Sequence, residues 1–225
     1  MLPTPKTLKL SCLALAAAAA PGVFAQETGG IIDPRPKYCT SEPVALADLL
    51  ALATPAASPA AESGPFAGME EIAIDGIPAG TAADEDTTKA ISDLELIYAS
   101  CYNKGDFLRA AALLTARGQA SLAELAADPA VAALFATPEP FKKDQRIPGI
   151  AIESVQVLED GTASAVVTWA PGDPRQQVSL HVYVKGEDGL WYLDRDLRVT
   201  GVPTPAGTPA ADASDAAEPA GTPAA

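Results

Sequence analysis

Apolar residues recur at helical spacing after Asp86 and at alternate positions after Pro148, and this change of period divides the chain. Ile91, Leu94, Ile97, Tyr98 and Cys101 form one stripe and predict an amphipathic helix beginning near Asp86. Gly105 can take the left-handed conformation that ends it, and Asp106 is placed to cap the next helix, so two helices meet at Asn103-Lys104-Gly105-Asp106. The second turns Phe107, Leu108, Ala111 and Leu114 inward. A third is expected over residues 119–127 with Leu122 and Leu125 facing the core, and Asp128-Pro129 opens a short helical turn through Phe135.

Beyond Pro148 β-branched residues alternate with polar ones. Strands are expected over 152–158 and 163–169 around Asp160-Gly161, a type I′ hairpin signal. Two more, 178–185 and 191–199, flank Gly186-Glu187-Asp188-Gly189. The predicted order is helices followed by an antiparallel meander.

Upstream, Leu46, Leu49, Leu50 and Ala53 predict a short helix with Pro43 in its first turn and Pro55 as its stop. Residues 54–85 mix Pro, Ala, Gly and acids around an Ile-rich patch at Ile72, Ile74 and Ile77, the composition of a linker or long loop. Residues 201–225 hold Pro, Ala, Gly, Thr and acids with nothing to bury, which predicts a disordered tail. Four segments follow: 1–25, 26–85 with its short helix and linker, an α+β domain over 86–200, and the tail.

Composition qualifies the size of the core. Although 48% of the 225 residues are hydrophobic, 47 are Ala and 12 are aromatic, and Ala contributes little surface to bury. Lys6 and Lys9 precede an apolar stretch over residues 10–20, then Pro21-Gly22 and Val23-Phe24-Ala25, the pattern of a secretory signal peptide cleaved after Ala25. The mature chain then carries 13 basic residues against 29 acidic ones, a formal charge of −16. Such a surface disfavours nucleic acid and anionic membranes, and no further segment predicts membrane insertion.

An exported, extracytoplasmic chain retaining two cysteines permits one disulfide, Cys39–Cys101; the alternative is one buried thiol and one exposed. A single histidine and two isolated cysteines predict no metal site, and no cofactor motif occurs.

The helix-then-sheet order, the stretch Ile97-Tyr-Ala-Ser-Cys-Tyr-Asn-Lys-Gly-Asp-Phe-Leu-Arg-Ala-Ala-Ala-Leu-Leu114 and the Leu-Trp-Tyr-Leu run at 190–193 resemble the nuclear transport factor 2-like (SnoaL-like) superfamily over residues 86–200. The resemblance implies an α+β fold, N-terminal helices on a curved antiparallel sheet forming a cone with a pocket. It implies no single activity, since the family holds isomerases and dehydratases as well as binding and dimerisation modules.

A four-residue loop at 186–189 would pair Val184 with Trp191, Tyr183 with Tyr192 and His181 with Asp194, setting the one histidine opposite a carboxylate. A His181–Asp194 pair is a candidate general base for an isomerase or dehydratase. The alternation argues otherwise. It puts His181, Tyr183, Tyr192, Asp194, Asp196 and Arg198 on the face opposite the apolar one, away from the helices, as a solvated surface or homodimer interface, unless a bulge moves one residue across. The expected function is therefore an exported non-catalytic domain that binds a small apolar ligand or a protein partner. The alternatives are the His–Asp enzyme and a structural cell-surface protein.

Overall fold

A computed structural model of the chain describes residues 30–53 and 70–202. The expected signal segment with its Ala25 cleavage point, linker residues 54–69 and the tail from 203 onward lie outside these. Among the described residues five α-helices, α1 (Leu46–Leu52), α2 (Glu85–Lys104), α3 (Phe107–Ala111), α4 (Ala116–Ala127) and α5 (Pro129–Ala136), accompany six strands. The strands are β1 (Glu71–Ala73), β2 (Thr81–Ala82), β3 (Ile150–Val157), β4 (Ala163–Trp169), β5 (Gln177–Lys185) and β6 (Trp191–Thr200), in one strongly curled sheet of order β1-β6-β5-β4-β3-β2. The fold is α+β, with helices packed on a curved sheet.

The helices begin and end where local chemistry supplies partners. Asp84 caps α2 by accepting from the Thr87 N–H, and Gly105, at φ 68°, closes it with its N–H on the Cys101 and Tyr102 carbonyls. Asp106, Thr115 and Asp128 cap α3, α4 and α5 in the same way. Pro43 precedes the Ala45 cap of α1 and stands outside the helix. Helix α3 is shorter than its apolar spacing predicts, because Leu193 of β6 donates to the Leu113 carbonyl and accepts from the Thr115 N–H, drawing residues 113–115 into a bridge to the sheet. Leu125, expected inside, is half exposed. The buried stripe of α4 is centred one residue on, at Ala123 and Ala126, whose small side chains admit Leu49 of α1.

The meander β3-β4-β5-β6 is antiparallel as expected. Its turns differ. Asp160 keeps a negative φ while Gly161 sits at 82°, so the loop is the three residues 159–161, closed by Leu158 N–H on the Thr162 carbonyl, and not a type I′ turn. Gly186 pairs with Leu190 around 187–189 in the same manner, with Gly189 at φ 81°.

Residues 70–82, expected to be linker, complete the sheet. Strand β1 runs parallel along β6 at one edge and β2 antiparallel along β3 at the other, so the sheet is mixed. A flat sheet would hold these two strands about 24 Å apart. Residues 74–80, which include the 3₁₀ turn Ile74–Gly76, reach only about 22 Å. The two lengths are close, and the curl of the sheet brings its edges nearer to what the connection spans. On its way it covers one face: Ile72 and Ile77 pack against Leu158, Leu180, Val182, Leu197 and Val199. The other face, with Ala163, Ala165, Val167, Tyr183 and Leu193, meets Ile91 and Leu94 of α2. Both faces are apolar and both are buried.

The N-terminal segment is fastened to α2. Cys39 and Cys101 form a disulfide across 62 residues, with both side chains buried. Nearby, the buried Asn103 amide donates to the Pro34 and Ile147 carbonyls while its oxygen accepts from the Ile147 N–H.

In the loop-entropy account a closure of this length stabilises by about 4 kcal/mol. Replacing both cysteines with Ser should lower the unfolding free energy by about 2–4 kcal/mol in urea titrations, with the β-sheet circular dichroism retained. Gly105→Ala should cost at least about 2 kcal/mol in the same assay. Its Cβ would adopt a left-handed conformation and strike the Glu139 carbonyl.

Candidate functional site

The stripe of α2 that packs on the sheet carries one acid. Glu95 follows Leu94 and lies one turn from Ile91 and Tyr98, so its carboxylate enters the interior with no exposed surface. Burial of a lone carboxylate is costly, and here β5 supplies its partners. His181 Nδ1 lies 2.7 Å from Glu95 Oε1, and the Tyr183 hydroxyl donates to the same oxygen at 2.8 Å. His181 and Tyr183 are themselves fully buried. Among the described residues Glu95 Oε2 and His181 Nε2 have no hydrogen-bond partner.

The candidate pair His181–Asp194 does not form. Two one-residue shifts separate them. The three-residue loop at 187–189 pairs Tyr183 with Leu193, and a bulge then sets Val182 opposite Arg195 and His181 opposite Asp196. Asp194 is the extra residue of that bulge. Its carboxylate accepts from the Thr115 hydroxyl at 2.6 Å and lies 3.6 Å from Arg195 Nε. His181 Nε2 instead faces Asp196 Oδ1 at 3.6 Å. The expected face is reversed as well. His181 and Tyr183 look toward α2, not away from it, because the apolar face that seemed to need the helices is covered by residues 72–77. The surface expected to be solvated, or to pair with a second copy, is interior at these positions.

These neighbours set the proton affinities. Burial works against a charged His181, but the adjacent Glu95 charge, its hydrogen bond and the Asp196 charge outweigh it and hold the imidazole above its ordinary range. Burial, then Glu95 and Asp196, push the Tyr183 phenol well up. Tyr98 is raised by burial and then by Asp196, Glu95 and Tyr102. Both phenols are therefore neutral, and Tyr183 is the one that donates to Glu95.

A cleft of about 390 Å³ opens beside this cluster, between α2, α4 and β6. Tyr98, Leu114, Leu122, Leu193 and Leu197 give it an apolar lining; Glu70, Arg117, Asp194, Arg195 and Asp196 supply charge, with Gly118 and Ser121 along α4. Asp196 is the link between the two: its side chain is 59% exposed, lines the cleft, and also faces the buried imidazole. Among the described residues no group of three or more His, Cys, Asp or Glu could hold a metal ion.

Glu95 and Asp196 are absent from the site expected on sequence. The signal for Glu95 was its place on the apolar stripe, three residues before Tyr98. Asp196 was hidden by the bulge. No protein-family model, curated protein or solved structure matches this chain.

A histidine raised in the folded state stabilises fully below its unfolded value near 6.5, and that contribution is lost as pH rises through the folded value. Between those limits the unfolding free energy should fall as pH rises. Glu95→Gln should flatten this dependence in urea titrations run from about pH 6 upward, and Glu95→Ala should cost about 3–5 kcal/mol below it, because a buried imidazolium loses its counter-charge.

Proposed function

We propose that this chain is an exported, non-catalytic binding domain of the nuclear transport factor 2-like kind, which holds a small ligand in the cleft between α2, α4 and β6. The curled sheet with helices packed on it agrees with such a cone, and the Cys39–Cys101 disulfide is compatible with an extracytoplasmic location. The observation that carries the reading is the cleft itself. Its 390 Å³ falls within the range of small-molecule sites, and its leucines and Tyr98 suit the apolar body of a ligand while the charged residues suit a polar end. Among the described residues no helix is long and apolar enough to cross a membrane.

A catalytic reading has one observation in its favour, the Glu95–His181 pair set behind a carboxylate of the cleft. In an isomerase or dehydratase built that way Asp196, not Asp194, would meet the substrate, and His181 would act through it as a positioning residue.

Binding is read by titrating the isotope-labelled chain with small amphiphiles. Amide shifts should concentrate on Tyr98, Leu122, Leu193 and Leu197. Ser121→Trp, which fills the cleft from α4, should weaken binding at least tenfold while leaving the unfolding midpoint within a few degrees. Shifts spread over the surface, or unaffected by Ser121→Trp, would remove the cleft as the site.

A further inference from the structure

The cleft has a carboxylate whose charge is shared with the interior. His181 Nδ1 faces Glu95 Oε1 at 2.7 Å, and since that oxygen also accepts from Tyr183, the contact is an N–H donating to a carboxylate. The neutral ring then carries its lone pair on Nε2. That atom is buried, has no hydrogen-bond partner among the described residues and faces Asp196 Oδ1 at 3.6 Å. A buried lone pair that faces a carboxylate is stabilised by a positive charge nearby. The imidazolium supplies one.

The groups facing His181 are Glu95 from α2, Tyr183 from β5 and Asp196 from β6, with Tyr98 of α2 near the same two carboxylates; β4 presents Trp169 and Ala165, which do not titrate. The charges acting on it are those of Glu95 and Asp196. With His181 protonated, two carboxylates flank one cation and a negative charge remains, on the side of Asp196 that opens to the cleft. The other charged groups of the cleft do not reverse this. Its lining holds three carboxylates, Glu70, Asp194 and Asp196, against two arginines, Arg117 and Arg195, so the cleft keeps a net negative charge.

We propose that the ligand of this cleft carries a cationic group, an ammonium or guanidinium, seated on Asp196, and that its arrival drives a proton from His181 Nε2 to solvent. The inference rests on the cleft being a ligand site. Ligand cation and imidazolium neutralise the same carboxylate and repel each other, so each weakens the other's hold by the same factor. No covalent bond other than Nε2–H changes.

Three probes with one apolar body, hexylammonium, hexanol and hexanoate, separate charge from hydrophobicity, and the chain's one histidine gives an unambiguous imidazole signal by NMR. Hexylammonium should bind at least tenfold more tightly than hexanol above the His181 titration, and hexanoate most weakly. Its affinity should rise with pH by up to about tenfold per unit through that titration. Saturating hexylammonium should move the histidine midpoint downward. Asp196→Asn, at an exposed side chain, should bring hexylammonium to the level of hexanol and cancel the midpoint shift. Equal binding of the probes in the cleft, or an unmoved histidine midpoint, would overturn the inference and leave the cleft as a binding site. Failure of all three to shift cleft residues would overturn both.

Discussion

A sheet that is apolar on both faces must be covered twice, and much of this structure follows from that requirement. Helix α2 covers one face through Ile91 and Leu94. Among the described residues no helix covers the other; Ile72 and Ile77 do so, in a segment whose two ends, β1 and β2, join the two sheet edges. The covering segment joins the two edges of the curled sheet, and the cleft lies along β6. The position of Glu95 belongs to the same arrangement. A carboxylate carried in on the buried stripe of α2 is tolerable only where β5 offers His181 and Tyr183, so the polar residues of β5 are turned toward the helix and its apolar residues toward the strap.

Much of this was legible in the residues and part was not, for identifiable reasons. Helix boundaries followed from caps, so Asp106, Gly105 and the Asp128-Pro129 start are where the sequence places them. Strands β4 to β6 followed from alternation to within a residue at each end. Alternation sorts residues into two faces but does not say which face meets the helices, and it assumes that one of them is solvated. Here neither is. The Ile72, Ile74, Ile77 patch was the visible sign of a second cover, yet its Pro- and Ala-rich surroundings resemble a linker.

The functional pairing was lost to register. Counting from the 186–189 loop assigns Asp194 to His181, and a three-residue loop plus one bulge transfers that place to Asp196. Neither shift has a strong local signature, because Asp194 bulges in answer to distant partners: its own bond to Thr115 and the backbone bridge from Leu193 to 113–115. Glu95 needs no register to be found, since its spacing from Ile91 and Tyr98 alone puts a charge on the apolar helix face, although it is not among the residues expected at the site.

The edge-to-edge strap also constrains the order in which the molecule can assemble. Strands β1 and β2 lie early in the chain, yet every backbone partner they have in the sheet comes from β3 and β6, and the Arg198 N–H closes on the Glu70 carbonyl. During synthesis Ile72 therefore waits for more than a hundred residues before a neighbouring strand exists, and such distant closures are slow. The last of these strands to leave the ribosome is the one that the first must join, so the sheet cannot be completed in vectorial fashion and a chain stopped before Arg198 has no native edge for β1.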